Sequence, residues 1–380
     1  MRARSALAGT AAALLALALA APAATAAASG GGHRHDATRK AVQAQVALGV
    51  PGVTLTAAQG RHTWSTTAGT GDLRTGAPRS AADRYRVGSI TKTFVATVLL
   101  QLEAEGRLSL DDTVEKWLPG VLDTNGYDGS KITVRMLLNH TSGVYDYTED
   151  PAVLETYFSK DGFYAHRFDR ISPQQLLAIA LSHERYFAPG ASWHYSNTNY
   201  LLAAQIVEKV TGRGYGEEIR RRIVAPLHLT GTLVPGTRRT LPEPSSRAYG
   251  KLSRETTGPT YDVTELNPAL AYGSGEMISD SADLNRFYRA LLGGRLLPAA
   301  QLKEMKTTVE VEGAPNARYG LALIDRQLSC GVHVWGHDGG IHGSTSVAAT
   351  TADGRHAVAF NLNGDWAGDT DAVLEAEFCG

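Results

Sequence analysis

Ser89 and Lys92 stand three residues apart in Gly88-Ser89-Ile90-Thr91-Lys92-Thr93-Phe94, at the opening of a long apolar run. In a helix that spacing puts both side chains on one face, a turn apart. A serine hydroxyl is a weak nucleophile at neutral pH and needs a base within hydrogen-bond reach. A lysine serves when burial or a neighbouring charge lowers its pKa. The helix start adds free N–H groups and the positive end of the dipole, both suited to an oxyanion. Taken alone, S-x-x-K also describes a serine N-cap followed by a solvated lysine, so the reading rests on what accompanies it. Tyr195-Ser196-Asn197 follows Pro189-Gly190 in a loop before a helix. On extended backbone Tyr195 and Asn197 point the same way. The phenol can relay a proton, and the amide can both donate and accept. The alternative is a tyrosine packed at a seam and an asparagine capping the next helix. Gly336-His337-Asp338-Gly339-Gly340 closes a later strand. Its glycines let a substrate backbone approach a strand edge, and the Gly340 N–H can face an oxyanion. The alternative is a turn.

These residues need elements to position them. Residues 52–56 alternate apolar and polar, as a half-buried strand does, and 61–68 read as the hairpin partner. Residues 319–324, 331–335, 344–350 and 356–361 read as further strands, with Ala352-Asp353-Gly354 turning between the last two. The middle reads as helices at 91–105, 134–138, 173–182, 198–210 and 281–292, and a last helix is expected over 369–378. The pattern predicts an α+β fold. Both chain ends form an antiparallel sheet (41–107 and 270–380) flanked by helices, with a mostly helical region (108–269) inserted. The site falls at the seam between the two parts.

The chain has 380 residues, 43% of them hydrophobic, and a formal net charge of -1. That balance gives no electrostatic reason to expect nucleic acid or an anionic membrane as partner. Arg2 and Arg4, an Ala/Leu-rich run over 11–21 and small residues at 24–28 read as an export signal over 1–28. A flexible linker over 29–40 and one domain over 41–380 follow. The expected location is therefore extracellular, with no membrane contact after signal cleavage. Export makes Cys330 and Cys379 an expected disulfide. No G-x-S-x-G elbow is present. His333, His337, Asp338 and His342 can be imagined around a metal, but no second cluster supports it, and neither metal nor cofactor is expected. Asn139-His140-Thr141 fits a glycosylation sequon and is more simply a turn.

In this order and at these separations the three motifs resemble those of the serine penicillin-recognising enzymes, the class C β-lactamase-like family: S-x-x-K, Y-x-N and a [KH]-x-G triplet. Phe94 to Leu110, Leu137 to Gly143, Phe187-Ala188-Pro189-Gly190, Gly275 to Ser279, Leu328-Ser329-Cys330-Gly331 and Phe378-Cys379-Gly380 are similar to family text as well. The resemblance covers nearly all the chain after the leader. It is strongest to the secreted D-alanyl-D-alanine carboxypeptidases, which also carry His in the third motif. It implies an acyl-enzyme on Ser89, with Lys92 and Tyr195 handling protons. Asn197, His337, Asp338, Gly339 and Gly340 are the implied substrate-binding residues, with the N–H groups of Ser89 and Gly340 as the oxyanion hole. The implied substrates are peptidoglycan-type peptides, esters or amides, with β-lactams as acylating ligands. An esterase, a D-amino-acid amidase or aminopeptidase, and a non-catalytic β-lactam-binding module are the alternatives. Three positions depart from the carboxypeptidase pattern. Asp338 and Gly340 stand where hydroxyl residues grip a terminal carboxylate, and Ile324 stands where a basic residue is expected. Arg326, two further on, is the available substitute. Asp338 in the pocket would disfavour a free carboxylate and tolerate a neutral ester or amide.

Overall fold

The structure, a computed structural model, describes residues 35–253 and 256–380. The export signal read over 1–28 lies outside these residues, as do residues 29–34 of the linker. Residues 36–40, read as linker, instead begin a helix, Asp36–Ala47. Its Thr38, Val42 and Gln45 are buried, a 3–4 spacing that gives it one face to pack.

Nine strands form one antiparallel sheet: β1 (Gly52–Gln59), β2 (His62–Asp72), β3 (Ala77–Pro78), β4 (Val309–Glu310), β5 (Ala317–Tyr319), β6 (Ile324–Gln327), β7 (His333–Ile341), β8 (Ser344–Thr351) and β9 (His356–Leu362). Their spatial order is β3-β2-β1-β9-β8-β7-β6-β5-β4, so the two chain ends meet where β1 pairs with β9. β1 is buried almost throughout, as a central strand must be, whereas β2 alternates between exposed and half-buried residues. The run 319–324, expected as one strand, is split. Gly320 to Leu323 make a tight turn closed by a Gly320 N–H to Leu323 carbonyl bond of 2.7 Å, with Ala322 left-handed at φ 59°. The strand expected over 331–335 runs on through the third motif to Ile341.

Each face of the sheet is covered. Val347, Ala349, Phe360 and Leu362 pack with Val42, Val373 and Leu374 of the terminal helices Asp36–Ala47 and Thr370–Phe378. Trp335, Ala348 and Ala359 join the large core made by the helical layer. The period-two alternation of strand side chains thus divides β7, β8 and β9 between two cores. In the helical layer, Ile90–Ala104 buries twelve of its fifteen residues, and it is apolar on every side because helices and sheet surround it. Asn197–Thr211 lies against it and ends at Gly212 in the left-handed conformation. Ser281–Leu292 packs across β1, β8 and β9. Among the described residues, no helix is long and apolar enough to cross a membrane.

Candidate active site

Ser89 is the residue at which Ile90–Ala104 begins, and a close approach of two backbones sets its place. A Cβ on Gly339 of β7 would overlap the carbonyl oxygen of Val87 and come within 3.0 Å of the Ser89 nitrogen. A Cβ on Gly88, itself left-handed at φ 54°, would lie 2.7 Å from the Gly340 nitrogen. Glycine at both positions lets the Ser89 turn rest directly on the third-motif strand. Pairing of β6 with β7 stops at Gly336, so residues 337–341 carry no ladder partner on their outer edge. Gly340 faces the cavity from that edge.

Lys92 is wholly buried one turn after Ser89. Its Nζ has three partners: Ser89 Oγ at 3.0 Å, Asn197 Oδ1 at 2.7 Å and the Ser274 carbonyl at 2.9 Å. Burial pulls its pKa from 10.5 down to about 7, against the opposing pull of Asp146. Three acceptors suit an ammonium group. With one proton gone, two N–H bonds still serve Asn197 and Ser274, and the lone pair faces Ser89. The sequence thus gives a base poised near neutral pH. Tyr195 stands beside Ser89 and presents its ring to Lys92 Nζ at 4.7 Å. Burial pushes the phenol well above its ordinary value, so Tyr195 keeps its proton at neutral pH.

Asn197 opens the helix Asn197–Thr211 without capping it, because its side chain turns to the site. Its Nδ2 donates to Asp146 Oδ2 at 3.0 Å and to Thr148 Oγ1 at 3.2 Å. Asp146 was not legible as a site residue. It is buried, its carboxyl is raised by that burial, and it accepts from the Thr148 N–H at 3.0 Å. The only sequence signal is an acid set between Tyr145 and Tyr147, and its partner Asn197 is 51 residues away.

His140 and Tyr319 are the other residues that sequence reasoning missed. Asn139 Oδ1 accepts from the N–H and hydroxyl of Thr141, the turn expected there, and left-handed His140 (φ 64°) points inward. His140 Nδ1 accepts from Ser196 N at 3.2 Å and Asn199 Nδ2 at 3.1 Å, so its proton sits on Nε2, facing Tyr319 at 3.2 Å. His337 Nδ1 lies 2.6 Å from the Asp338 carbonyl and must donate to it, which leaves Nε2 to accept from the Tyr319 hydroxyl at 2.9 Å. Both rings are therefore neutral, in keeping with burial that lowers His140 strongly and His337 to about 4. The chain His140–Tyr319–His337 ties the Tyr195 loop to the third-motif strand.

Ser89, Asn197 and Gly340 line a cavity walled by Tyr147, Phe158, Phe163, Leu266 and Leu270. His337, Asp338 and Gly339, expected to bind substrate, do not line it. His337 is held on Tyr319, and Gly339 is packed under Val87. Asp338 points to the opposite face of the sheet, since neighbours on a strand alternate. There its Oδ2 pairs with Arg326 Nη2 at 2.7 Å, and Arg326 also reaches Asp371 of the last helix at 3.4 Å. The expected like-charge repulsion at the pocket is thereby overturned, and Arg326 is no substitute cation for a terminal carboxylate. His333 bonds Asp325, and His342 bonds the Tyr157 carbonyl, so the imagined histidine cluster is spread over separate partners. Cys330 and Cys379 form a disulfide.

A family model described as Beta-lactamase matches residues 38–377. Penicillin-binding protein 4* of Bacillus subtilis (strain 168) is 28% identical over 299 residues, covering 75% of this chain but only 62% of that longer protein. Among solved structures, a D-stereospecific amidohydrolase from Streptomyces sp. is 60% identical with a TM-score of 0.87, over 91% of this chain and 99% of that one. The D-amino acid amidase of Ochrobactrum anthropi SV3 is 29% identical with a TM-score of 0.76, over 90% and 97%. With motifs, fold and family model in agreement over nearly all the described residues, the chain belongs to the β-lactamase family of serine hydrolases, alongside penicillin-binding proteins and D-amino-acid amidases.

Proposed function

We propose that this protein is a D-stereospecific serine amidohydrolase that acylates Ser89 with the D-aminoacyl part of an amide. The observation that carries the chemistry is Lys92 Nζ, buried and 3.0 Å from Ser89 Oγ. Neutral Lys92 takes the Ser89 proton as Oγ attacks the carbonyl carbon. The N–H groups of Ser89 and Gly340 receive the oxyanion. The C–N bond then breaks, and the leaving nitrogen takes a proton from Tyr195, which Lys92 replenishes. Water reverses these roles and releases the acid. Support for an amide of a D-amino acid comes from the 60% identity to a D-stereospecific amidohydrolase over almost its whole length. It also comes from Arg326 of β6, which pairs with Asp338 of β7 on the back of the sheet and so offers no cation to a terminal carboxylate.

The D-alanyl-D-alanine carboxypeptidase reading is the second one, favoured by the penicillin-binding relative. Hydrolysis of D-phenylalanine amide, L-phenylalanine amide, a D-Ala-D-Ala peptide and a short-chain ester separates the readings. The proposal expects the D-amide to lead, the L-amide to be inert, and an active-site serine acylator to label the Ser89 peptide. A D-Ala-D-Ala peptide cleaved faster than the D-amide would overturn it in favour of the second reading. We also place the protein outside the cytoplasm, on the apolar leader and on a disulfide that an oxidising compartment would preserve. Retention of the protein in the cells, with residues 1–28 still attached, would refute that location.

A further inference from the structure

The cavity that holds Ser89 is not lined by apolar groups alone. Away from the nucleophile it reaches Arg167. Nothing acidic lies within ion-pairing distance of this guanidinium among the described residues, and its Nε is buried without a hydrogen-bond partner. Three aromatic faces hold it instead: Phe168 at 4.6 Å, Tyr164 at 5.0 Å and Phe163 at 5.8 Å. The backbone beneath is fixed, because the Arg167 carbonyl accepts from Asn267 N at 2.6 Å, joining it to the Leu266–Pro268 wall. Ring faces offset part of the desolvation of a cation but do not bond its in-plane N–H donors, of which Nε is the buried one. Those donors form a planar fork that fits a carboxylate. One acid, Asp169, lines the same cavity and opposes an incoming anion, yet its Oδ2 is held by His166 Nδ1 at 2.8 Å and not by Arg167.

The geometry points to Arg167 as a specificity-determining residue that directs this cavity to D-aminoacyl groups whose side chain ends in a carboxylate. This rests on the amidohydrolase reading, since the group bonded to Ser89 is the one that enters the cavity Ser89 opens into.

The test compares kcat/KM on the amides of D-phenylalanine, 4-carboxy-D-phenylalanine and D-glutamic acid, with D-phenylalanyl-D-alanine as a fourth substrate. The enzyme is used as wild type, Arg167→Met, which keeps an apolar stem against the rings, and Arg167→Lys. The wild type is expected to favour at least one carboxylated amide over D-phenylalanine amide. Arg167→Met should lower that activity roughly tenfold to a hundredfold, the range of a hydrogen bond to a charged group. It should leave D-phenylalanine amide within about threefold, which also reports that the variant is folded. Arg167→Lys should recover part of the loss, because it restores the charge without the fork. Equal losses on all substrates, no loss on any, or a loss confined to D-phenylalanyl-D-alanine, whose carboxylate is in the leaving group, would each overturn the inference. If the wild type cleaves no D-amide although Ser89 is labelled by an acylator, the amidohydrolase reading itself fails.

Discussion

At the scale of single residues, the site depends on one buried cation that is able to lose its charge. Lys92 is wholly buried, and that burial outweighs the attraction of Asp146, which Asn197 holds at one remove. With its pKa drawn down to about 7, the neutral base is the minor form in acid and the major form in alkali. The sign follows directly: kcat/KM on an uncharged amide should fall about tenfold per pH unit well below 7 and level off above it. Tyr195, pushed upward by burial, adds no ionisation in that range. A stopped-rate profile from pH 5 to 9 checks this, and a flat profile would remove Lys92 from the role of base. Ser89, Lys92, Tyr195 and Asn197 were legible because short-range periodicity brings each pair to one side and because the three motifs together resemble those of a known family. Asp338 was placed wrongly because its facing depends on strand parity, which the sequence leaves open until the register is known. Asp146 and Tyr319 were invisible because their partners lie far away in the chain.

At the scale of elements, the seat of Ser89 is a contact between two backbones. Gly339→Ala puts a methyl group into the Val87 carbonyl, so the strand and the Ser89 turn must separate. Activity should drop by roughly a hundredfold or more, given how steeply rate depends on sub-ångström placement. Gly340→Ala meets no atom within 4 Å and should leave the thermal midpoint close to wild type. Thermal melts of both variants check the contrast, and an unchanged midpoint in Gly339→Ala would disprove the contact argument. The segment that supplies the Ser274 carbonyl to Lys92 has its own buried charge. Glu276 is 2% exposed, accepts from Tyr215 and Gly273, and is raised from 4.5 to about 7 by burial. A carboxyl raised on folding binds more protons folded than unfolded between pH 4.5 and 7. Its contribution is therefore full below 4.5 and is lost as pH rises through 7, a swing on the order of 3 kcal/mol. Glu276→Gln should flatten the pH dependence of stability over that window and raise the midpoint at pH 8 relative to wild type. Denaturant titrations at pH 5 and pH 8 check it, and an unchanged slope would count against a charged Glu276. Element types were readable from period, but their ends were not. The tight turn at 320–323 carries no Gly-Pro or Asn-Gly signal, and the helix Asp36–Ala47 follows a glycine stretch that reads as linker.

At the scale of the whole molecule, the closing of one sheet by both chain ends was legible from strands at either end with helices between. The spatial order was not, because the pairing of β1 with β9 joins residues about 300 apart, beyond any local pattern. The same closure brings the first and last helices onto one face, where Thr38 bonds Glu377 at 2.8 Å. The Cys330–Cys379 disulfide fastens the last helix to the turn before β7 on that face, away from the cavity lined by Ser89. Its sequence separation is 49, for which loop closure in the unfolded chain gives about 4 kcal/mol. Ser329, next to Cys330, also bonds Glu375 through its N–H at 2.8 Å and its hydroxyl at 2.7 Å. The helix is therefore still anchored when the disulfide is absent, and the native site should survive the loss. The Cys330→Ser/Cys379→Ser double variant should accordingly unfold with a free energy lower by as much as about 4 kcal/mol. Its kcat and KM at 25 °C on a D-amide should stay at wild-type values. Equilibrium denaturation with steady-state rates on the same samples reads both quantities. A variant as stable as wild type would show that the disulfide constrains the unfolded chain little. A variant with impaired kcat at full folding would show that the terminal helix acts on the site through the sheet.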